Sequence, residues 1–253
     1  MKSFTLWKQA VLIRTGGHTM RFFKLFKYSQ KNLLDEAHSE SIAMLELVKD
    51  MFGIITETLA GESSTEKLEK ISNVDKKVNR LHRDTRKKVY EHLAISGTGD
   101  LFSSLVILSV VDDVERIGDY NKNIADVALL IPNKLNLRKY EKTFYEIQKD
   151  TVEFFDMTLK ALREDNLKLA STILTKYTAL SIKCDSIIED IIKGDKKDTI
   201  RKDFVALVLL LRYFKRVNAH LTNVATTIIN PFHRIGYRPK KKHLKKAIPA
   251  KKK

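Results

Sequence analysis

The sequence predicts an all-α protein, six long helices arranged as two tandem antiparallel three-helix bundles. Three observations predict it. Gly and Pro are scarce, nine and four in 253 residues, while hydrophobic residues make up 43% of the chain; that balance suits long helices with few turns. Apolar residues recur at the helical period over stretches that each end in Gly, Pro or a polar turn. A shift of about 100 residues also lays the chain on itself. Arg116-Ile117 then falls on Arg216-Val217, Asn123-Ile124-Ala125 on Asn223-Val224-Ala225, and Val114 on Phe214.

Residues 1–28 form a basic N-terminal extension in which Phe22, Phe23, Leu25 and Phe26 alternate with Arg21, Lys24 and Lys27. Such a segment suits a membrane interface or packs on the bundle. The first bundle is placed at residues 29–132. Its first helix runs from Ser29 to Leu59 on Leu33, Ala37, Met44, Leu47, Val48, Met51, Phe52 and Ile55, and Gly61 closes it. Ser63 or Ser64 can cap the second, which carries Leu68, Ile71, Val74, Val78, Leu81, Val89 and Leu93 up to Gly97-Thr98-Gly99. The third runs from about Asp100 to Ile131 and stops at Pro132.

The second bundle is placed at residues 136–231. A helix over 138–163 carries Tyr140, Phe144, Ile147, Val152, Phe155, Leu159 and Leu162; Glu164-Asp165-Asn166 makes a turn; a helix from Leu167 to Lys193 ends at Gly194. The last runs from about Lys197 to Ile229, before Pro231. Residues 232–253 are a basic tail with no apolar pattern, expected to be disordered.

The net charge of +16 sits at the ends: residues 1–34 carry seven Lys/Arg and no acid, residues 204–253 thirteen and no acid. Basic ends suit a polyanion, either an anionic membrane or nucleic acid. The tail residues Lys240, Lys241, Lys242, Lys245 and Lys246 are the candidate contacts. A single cysteine, Cys184, excludes a disulfide framework and a Cys-rich zinc site, and reads as packing. No membrane span is expected, the longest apolar run being Phe204–Leu211, nor is a signal peptide. No Gly-rich phosphate loop or nucleophile–base set supports an enzyme.

The third helix carries the candidate site. Asp112, Glu115, Asp119 and Asp126 fall within roughly 60° of one another, opposite the apolar stripe Val106, Val110, Val114, Ile117, Ile124 and Ala128. Only Lys122 interrupts this acid row. Like charges at i,i+4 repel, so the row calls for a cation or a basic partner. In an antiparallel hairpin turning near residue 98, Asp75, Asn79 and His82 of the second helix come level with Glu115 and Asp119. Carboxylates with an imidazole suit iron, manganese, magnesium or zinc. The repeat-related positions Arg212, Lys215, Ala219 and Thr226 lack the acids.

The segment Asp113-Val114-Glu115-Arg116-Ile117-Gly118-Asp119-Tyr120-Asn121-Lys122-Asn123-Ile124-Ala125 resembles the signature of the PhoU family of phosphate-homeostasis regulators, and Asp75-Lys76-Lys77-Val78-Asn79 resembles its second-helix motif. The resemblance spans about residues 29–230. It implies tandem three-helix bundles, with a divalent or trivalent metal of unspecified identity on the motif faces. Glu115 and Asp119 match the motif pair, Asp75 the second-helix acid, and His82 stands where Glu is frequent; Asn79 and Asp112 complete the candidate ligands. Lys215, Ala219 and Tyr177 replace the second repeat's acids, with Cys184 at the position matching His82, so a metal is expected in the first repeat only. The resemblance further implies a non-enzymatic cytoplasmic regulator, peripheral on the inner face of the membrane. Its partners would be a phosphate transporter's ATPase subunit and a sensor histidine kinase, and it leaves room for a homodimer. The alternatives are a companion of a sodium–phosphate symporter and a nucleic-acid-associated helical protein.

Overall fold

The computed structural model describes residues 33–61, 66–131, 134–194 and 202–237, which form helices and connecting turns without a strand among them. The long helices are α1 (Leu33–Ala60), α2 (Ile71–Ser96), α3 (Leu101–Leu129), α4 (Glu141–Glu164), α5 (Leu167–Lys193) and α6 (Lys202–Ile229). Counted as uninterrupted helical runs among the described residues, these make five rather than the six expected. Helical backbone continues from Glu66 to Leu129, with the direction reversed inside that run by the 3-10 turn Gly97–Asp100. Gly97 permits the reversal because its φ of 69° is one that a side-chain-bearing residue rarely adopts.

The expected caps at Ser63 and Ser64, the stop at Pro132, the start near Lys197, residues 1–32 and residues 238–253 lie outside the described residues. The first residues of the tail expected to be disordered are instead ordered: Phe232–Arg234 form a 3-10 turn held by Asn230. An 18-residue window of the Glu66–Leu129 run has a mean hydropathy of 1.6, apolar enough by composition to cross a membrane, with 33% of it buried. The run does not offer a straight span, since its apolar stretch surrounds the reversing turn.

Packing follows the apolar stripes. All six stripe residues of α3, from Val106 to Ala128, are buried. Helices α1, α2 and α3 pack together, as do α4, α5 and α6, and the most extensive contact is between α3 and α6. Direction across the two sets is fixed by named contacts. Asp113 meets Asn223 while Tyr120 meets Arg216, so α3 and α6 are antiparallel. Lys49 meets Asp156 while Glu46 meets Arg163, so α1 and α4 are antiparallel too. The two hairpin turns, α2–α3 and α5–α6, therefore sit at opposite ends of the molecule.

One core serves both sets. Phe52 of α1 packs on Phe155 of α4 and Phe214 of α6 with ring centroids 5.4 Å apart, and Phe214 stacks on Phe144 at 5.6 Å. Buried Asn121 of α3 donates to the Val48 carbonyl of α1, and buried Asn218 of α6 donates to the Thr151 hydroxyl of α4. Each amide nitrogen thereby makes a bond that fixes one helix against its neighbour.

Burial also lowers the pKa of His38 on α1 from 6.5 to about 4. The folded protein holds this imidazole neutral where the unfolded chain protonates it. Stability contributed by the neutral form is complete above about pH 6.5 and drains away as the pH falls toward 4. Replacing His38 with Gln should flatten that part of the pH profile of the melting temperature.

Candidate functional site

The site sits on the hairpin of α2 and α3, where a heptad-like apolar seam holds the helices together and leaves one polar face open. Val78 of α2 and Val48 of α1 close on Gly118 of α3. A methyl group added at Gly118 would stand 3.5 Å from Val48, 3.6 Å from Val78 and 3.8 Å from Asp75 Oδ1, all ordinary contacts. Glycine is thus not sterically demanded there; its absent side chain leaves open the space in front of the Asp75 carboxylate.

The sequence places Asp75, Asn79 and His82 on one face of α2, and the hairpin turns that face toward α3. Asp75 is buried, only 8% exposed, and accepts a hydrogen bond from Asn79 Nδ2 at 3.2 Å. Desolvation pushes its carboxyl above the ordinary range, opposed by Lys122 and reinforced by Asp119. Glu115 is raised in the same way by burial, then by Asp119, with His82 and Arg116 opposing. Asp119 therefore disfavours the charge of both Asp75 and Glu115, with His82 close enough to Glu115 to be felt.

Asp112 is occupied differently. One of its oxygens lies 2.7 Å from His82 Nε2 and accepts from Arg86 Nη1 at 2.9 Å. Arg86 also donates to the Tyr90 hydroxyl. Asp119 has Arg116 at 3.6 Å, and Asp126 is exposed and lies beyond Lys122 along the helix. Among the described residues, no three His, Cys, Asp or Glu side chains are gathered closely enough to hold a metal ion as they stand. The donors suit a hard or borderline cation in kind, and rotation of Glu115 and Asp119 toward Asp75 is what a metal would require of them.

The corresponding face of the second set carries its own cation. Lys215 Nζ lies 2.6 Å from both carboxylate oxygens of Asp185, and Lys183 pairs with Glu146 and Asp150. Cys184 beside them is fully buried, and burial pushes its thiol up to about 12.

Sequence reasoning missed a second polar cluster, on the seam between the sets. His220 Nδ1 lies 2.7 Å from Asp113 Oδ1, Asn223 donates to the same oxygen at 3.0 Å, and Tyr120 stacks on the His220 ring. Arg216 donates to the Tyr120 hydroxyl and lies over its ring. Asp113 and Asn223 both stood in motifs visible from sequence, but only the antiparallel pairing of α3 with α6 brings them together.

Residues 42–128 match the family model described as the PhoU domain. Over those residues the chain carries a PhoU domain. It is 29% identical over 157 residues to the phosphate-specific transport system accessory protein PhoU homolog of Aquifex aeolicus, covering 60% of this chain and 67% of that protein. It is 26% identical over 210 residues to the phosphate-specific transport system accessory protein PhoU homolog 1 of Thermotoga maritima, covering 76% and 83%. The crystal structure of PhoU from Pseudomonas aeruginosa superposes with a TM-score of 0.68 at 19% identity, over 78% of this chain and 95% of that one. The PhoU structure from Streptococcus pneumoniae, titled a phosphate transport system regulatory protein, gives 0.62 at 20% identity, over 78% and 93%. These structural likenesses establish the PhoU-like helical fold.

Two outcomes follow from the geometry. Gly118→Ala should raise the stability of the metal-free protein by about 0.5–1 kcal/mol, read by urea denaturation, because a mid-helix Gly is replaced where its methyl group fits. Cys184 should resist a thiol-titrating disulfide reagent in the native protein and react once the chain is unfolded.

Proposed function

We propose that this chain is a non-enzymatic accessory regulator of a phosphate transport system, working at the cytoplasmic face of the membrane and restraining phosphate uptake or phosphate-starvation signalling. The relatives in Aquifex aeolicus and Thermotoga maritima, named as accessory proteins of phosphate-specific transport, support the phosphate assignment. The resemblance of the signature segment Asp113–Ala125 points further to the transporter's ATPase subunit and a sensor histidine kinase as partners.

The mechanism we favour uses the acid face of α2 and α3 to take up a divalent or trivalent metal in the first repeat alone. The observation that carries it is the pair Asp75 and Glu115, each raised by burial and by the charge of Asp119, beside the space that Gly118 leaves in front of Asp75. Asp75 would anchor the ion from α2, Glu115 and Asp119 would close on it from α3, and His82 would complete the rim after leaving Asp112. Asn79 would hold Asp75 in place through the bond it already donates. A bound cation supplies the positive charge that these carboxylates lack, joining α2 to α3 and setting the surface a partner meets. Lys215 and Asp185 take that role in the second repeat without a metal.

Elemental analysis of the purified protein checks the site: about one equivalent or more of metal per chain is expected, lost in the Glu115→Ala/Asp119→Ala double variant. Full retention of metal in that variant would remove these residues from the site. A phosphate-starvation reporter checks the regulatory role. Deleting the gene should leave the reporter active in phosphate-rich medium, and the wild-type chain should silence it again.

A further inference from the structure

The outer face of α6 stays open along three turns. Val205, Leu209, Arg212 and Arg216 fall within about 60° of one another on that helix, and all four are exposed. They come as two pairs, two aliphatic side chains one turn apart and then two arginines one turn apart, over about 17 Å. On one flank Tyr213 and His220 meet Tyr120 of α3; on the other Lys215 meets Asp185 of α5. The stripe therefore looks outward between the two neighbouring helices. From Phe204 to the end of α6 the sequence holds no acid. Arg212 pairs with no carboxylate among the described residues.

The neighbouring helix α3 continues both halves of the stripe. Equal steps from the Asp113–Asn223 and Tyr120–Arg216 contacts bring Leu130 level with Ala206, so a leucine that is 82% exposed stands across from Val205. At the other end, Arg216 donates from Nε to the Tyr120 hydroxyl at 3.1 Å, and its guanidinium lies 5.7 Å from the centre of that ring. Tyr120 in turn packs on Tyr213. The Arg216 guanidinium is thus held in place with its two terminal nitrogens still able to donate. A solvated helix face commonly sets its cations against acids one turn away, as Lys193 and Glu189 do on α5. Here arginines and tyrosines adjoin exposed aliphatic side chains instead, which is the composition of an interface centre.

We propose that this face docks an acidic amphipathic helix of another protein. The occupant carries two carboxylates one turn apart for Arg212 and Arg216, and apolar residues two turns further along for Val205, Leu209 and Leu130. That is the helix-in-groove mode, read as anchors at helical spacing. A guanidinium fixed by stacking suits a carboxylate at a set position, since its planar fork matches the two oxygens. A bilayer would ask for no such fixed position. The proposal rests on the reading of a regulator that works through protein partners, but it needs neither metal nor phosphate.

The test places the photo-cross-linking residue p-benzoylphenylalanine at position 209 of the full chain in its own cells, with the adduct sequenced by mass spectrometry. The expected product joins Leu209's position to a segment of another protein with two carboxylates one turn apart and apolar residues two turns beyond. Adding Arg212→Glu should cut the adduct at least about tenfold, because like charges then face each other. Changing the captured segment's carboxylates to arginine should restore it. Arg212 is exposed and unpaired among the described residues, so melting of the Arg212→Glu protein should match wild type. A lipid or nucleic-acid adduct, a second copy of this chain, a segment without that pattern, or no adduct would each overturn the proposal. So would an adduct undiminished by Arg212→Glu, or one not restored by the reversed charges. The phosphate-starvation reporter reads the regulatory function separately, so either can fail without the other.

Discussion

Asp113 reaches from α3 to His220 and Asn223 of α6, and around that contact two sets of helices with the same internal pattern are set head to tail. The bond is directional and shielded, so it fixes register where apolar packing alone would tolerate a slip by a turn. Tyr120 and Arg216 extend the same seam toward the middle of the helices, and Phe52, Phe144, Phe155 and Phe214 fill the space beneath it. Everything else about the molecule's polarity depends on this pairing. Had α3 and α6 run parallel, both hairpin turns and both acid-equivalent faces would lie side by side. Antiparallel pairing separates them, placing one hairpin turn at each end.

The repeat explains why the two faces can carry opposite electrostatics on one scaffold. In the first set the carboxylates of α3 face a buried Asp75, and their charge is opposed only at the rim, by Lys122, Arg116 and His82. In the second set the order is inverted: α6 supplies the ammonium of Lys215, and α5 the carboxylate of Asp185. A covalently attached cation costs no binding equilibrium and is always present, whereas an exchangeable one makes the structure of its face depend on supply. An internal cation in one half with an unmatched acid set in the other is what a scaffold would need if only one half is to respond to a ligand.

Most of the scaffold could be read from the chain because helices this long repeat one pattern many times. The stripe Val106, Val110, Val114, Ile117, Ile124 and Ala128 is buried throughout, and Gly97 supplies the turn conformation its position implied. The separation into six helices was overstated, since the 3-10 turn of residues 97–100 joins α2 directly to α3 with no intervening loop. The level pairing of α2 with α3 was legible from the turn, yet side-chain direction was not. His82 was expected level with Glu115 but meets Asp112, one turn nearer the hairpin tip, because Arg86 and His82 converge on the same carboxylate. The seam residues were invisible as a cluster, because contacts more than 100 positions apart leave no local period.

The hairpin of α2 and α3 carries the acid face near its middle and, at its turn, the exposed side chains of Ile95 and Phe102. From Asp119 to Phe102 the helix rises about 25 Å, and from Asp75 to Ile95 about 30 Å. That is more than a Debye length at physiological salt, so charge at one place is largely screened from the other. What joins them is mechanical: both are on one pair of helices, held against α1 through Val48 and Val78 at Gly118 and against α6 at Asp113. A ligand that clamps α2 to α3 in the middle would stiffen the two arms that carry Ile95 and Phe102, without altering a single contact at the tip.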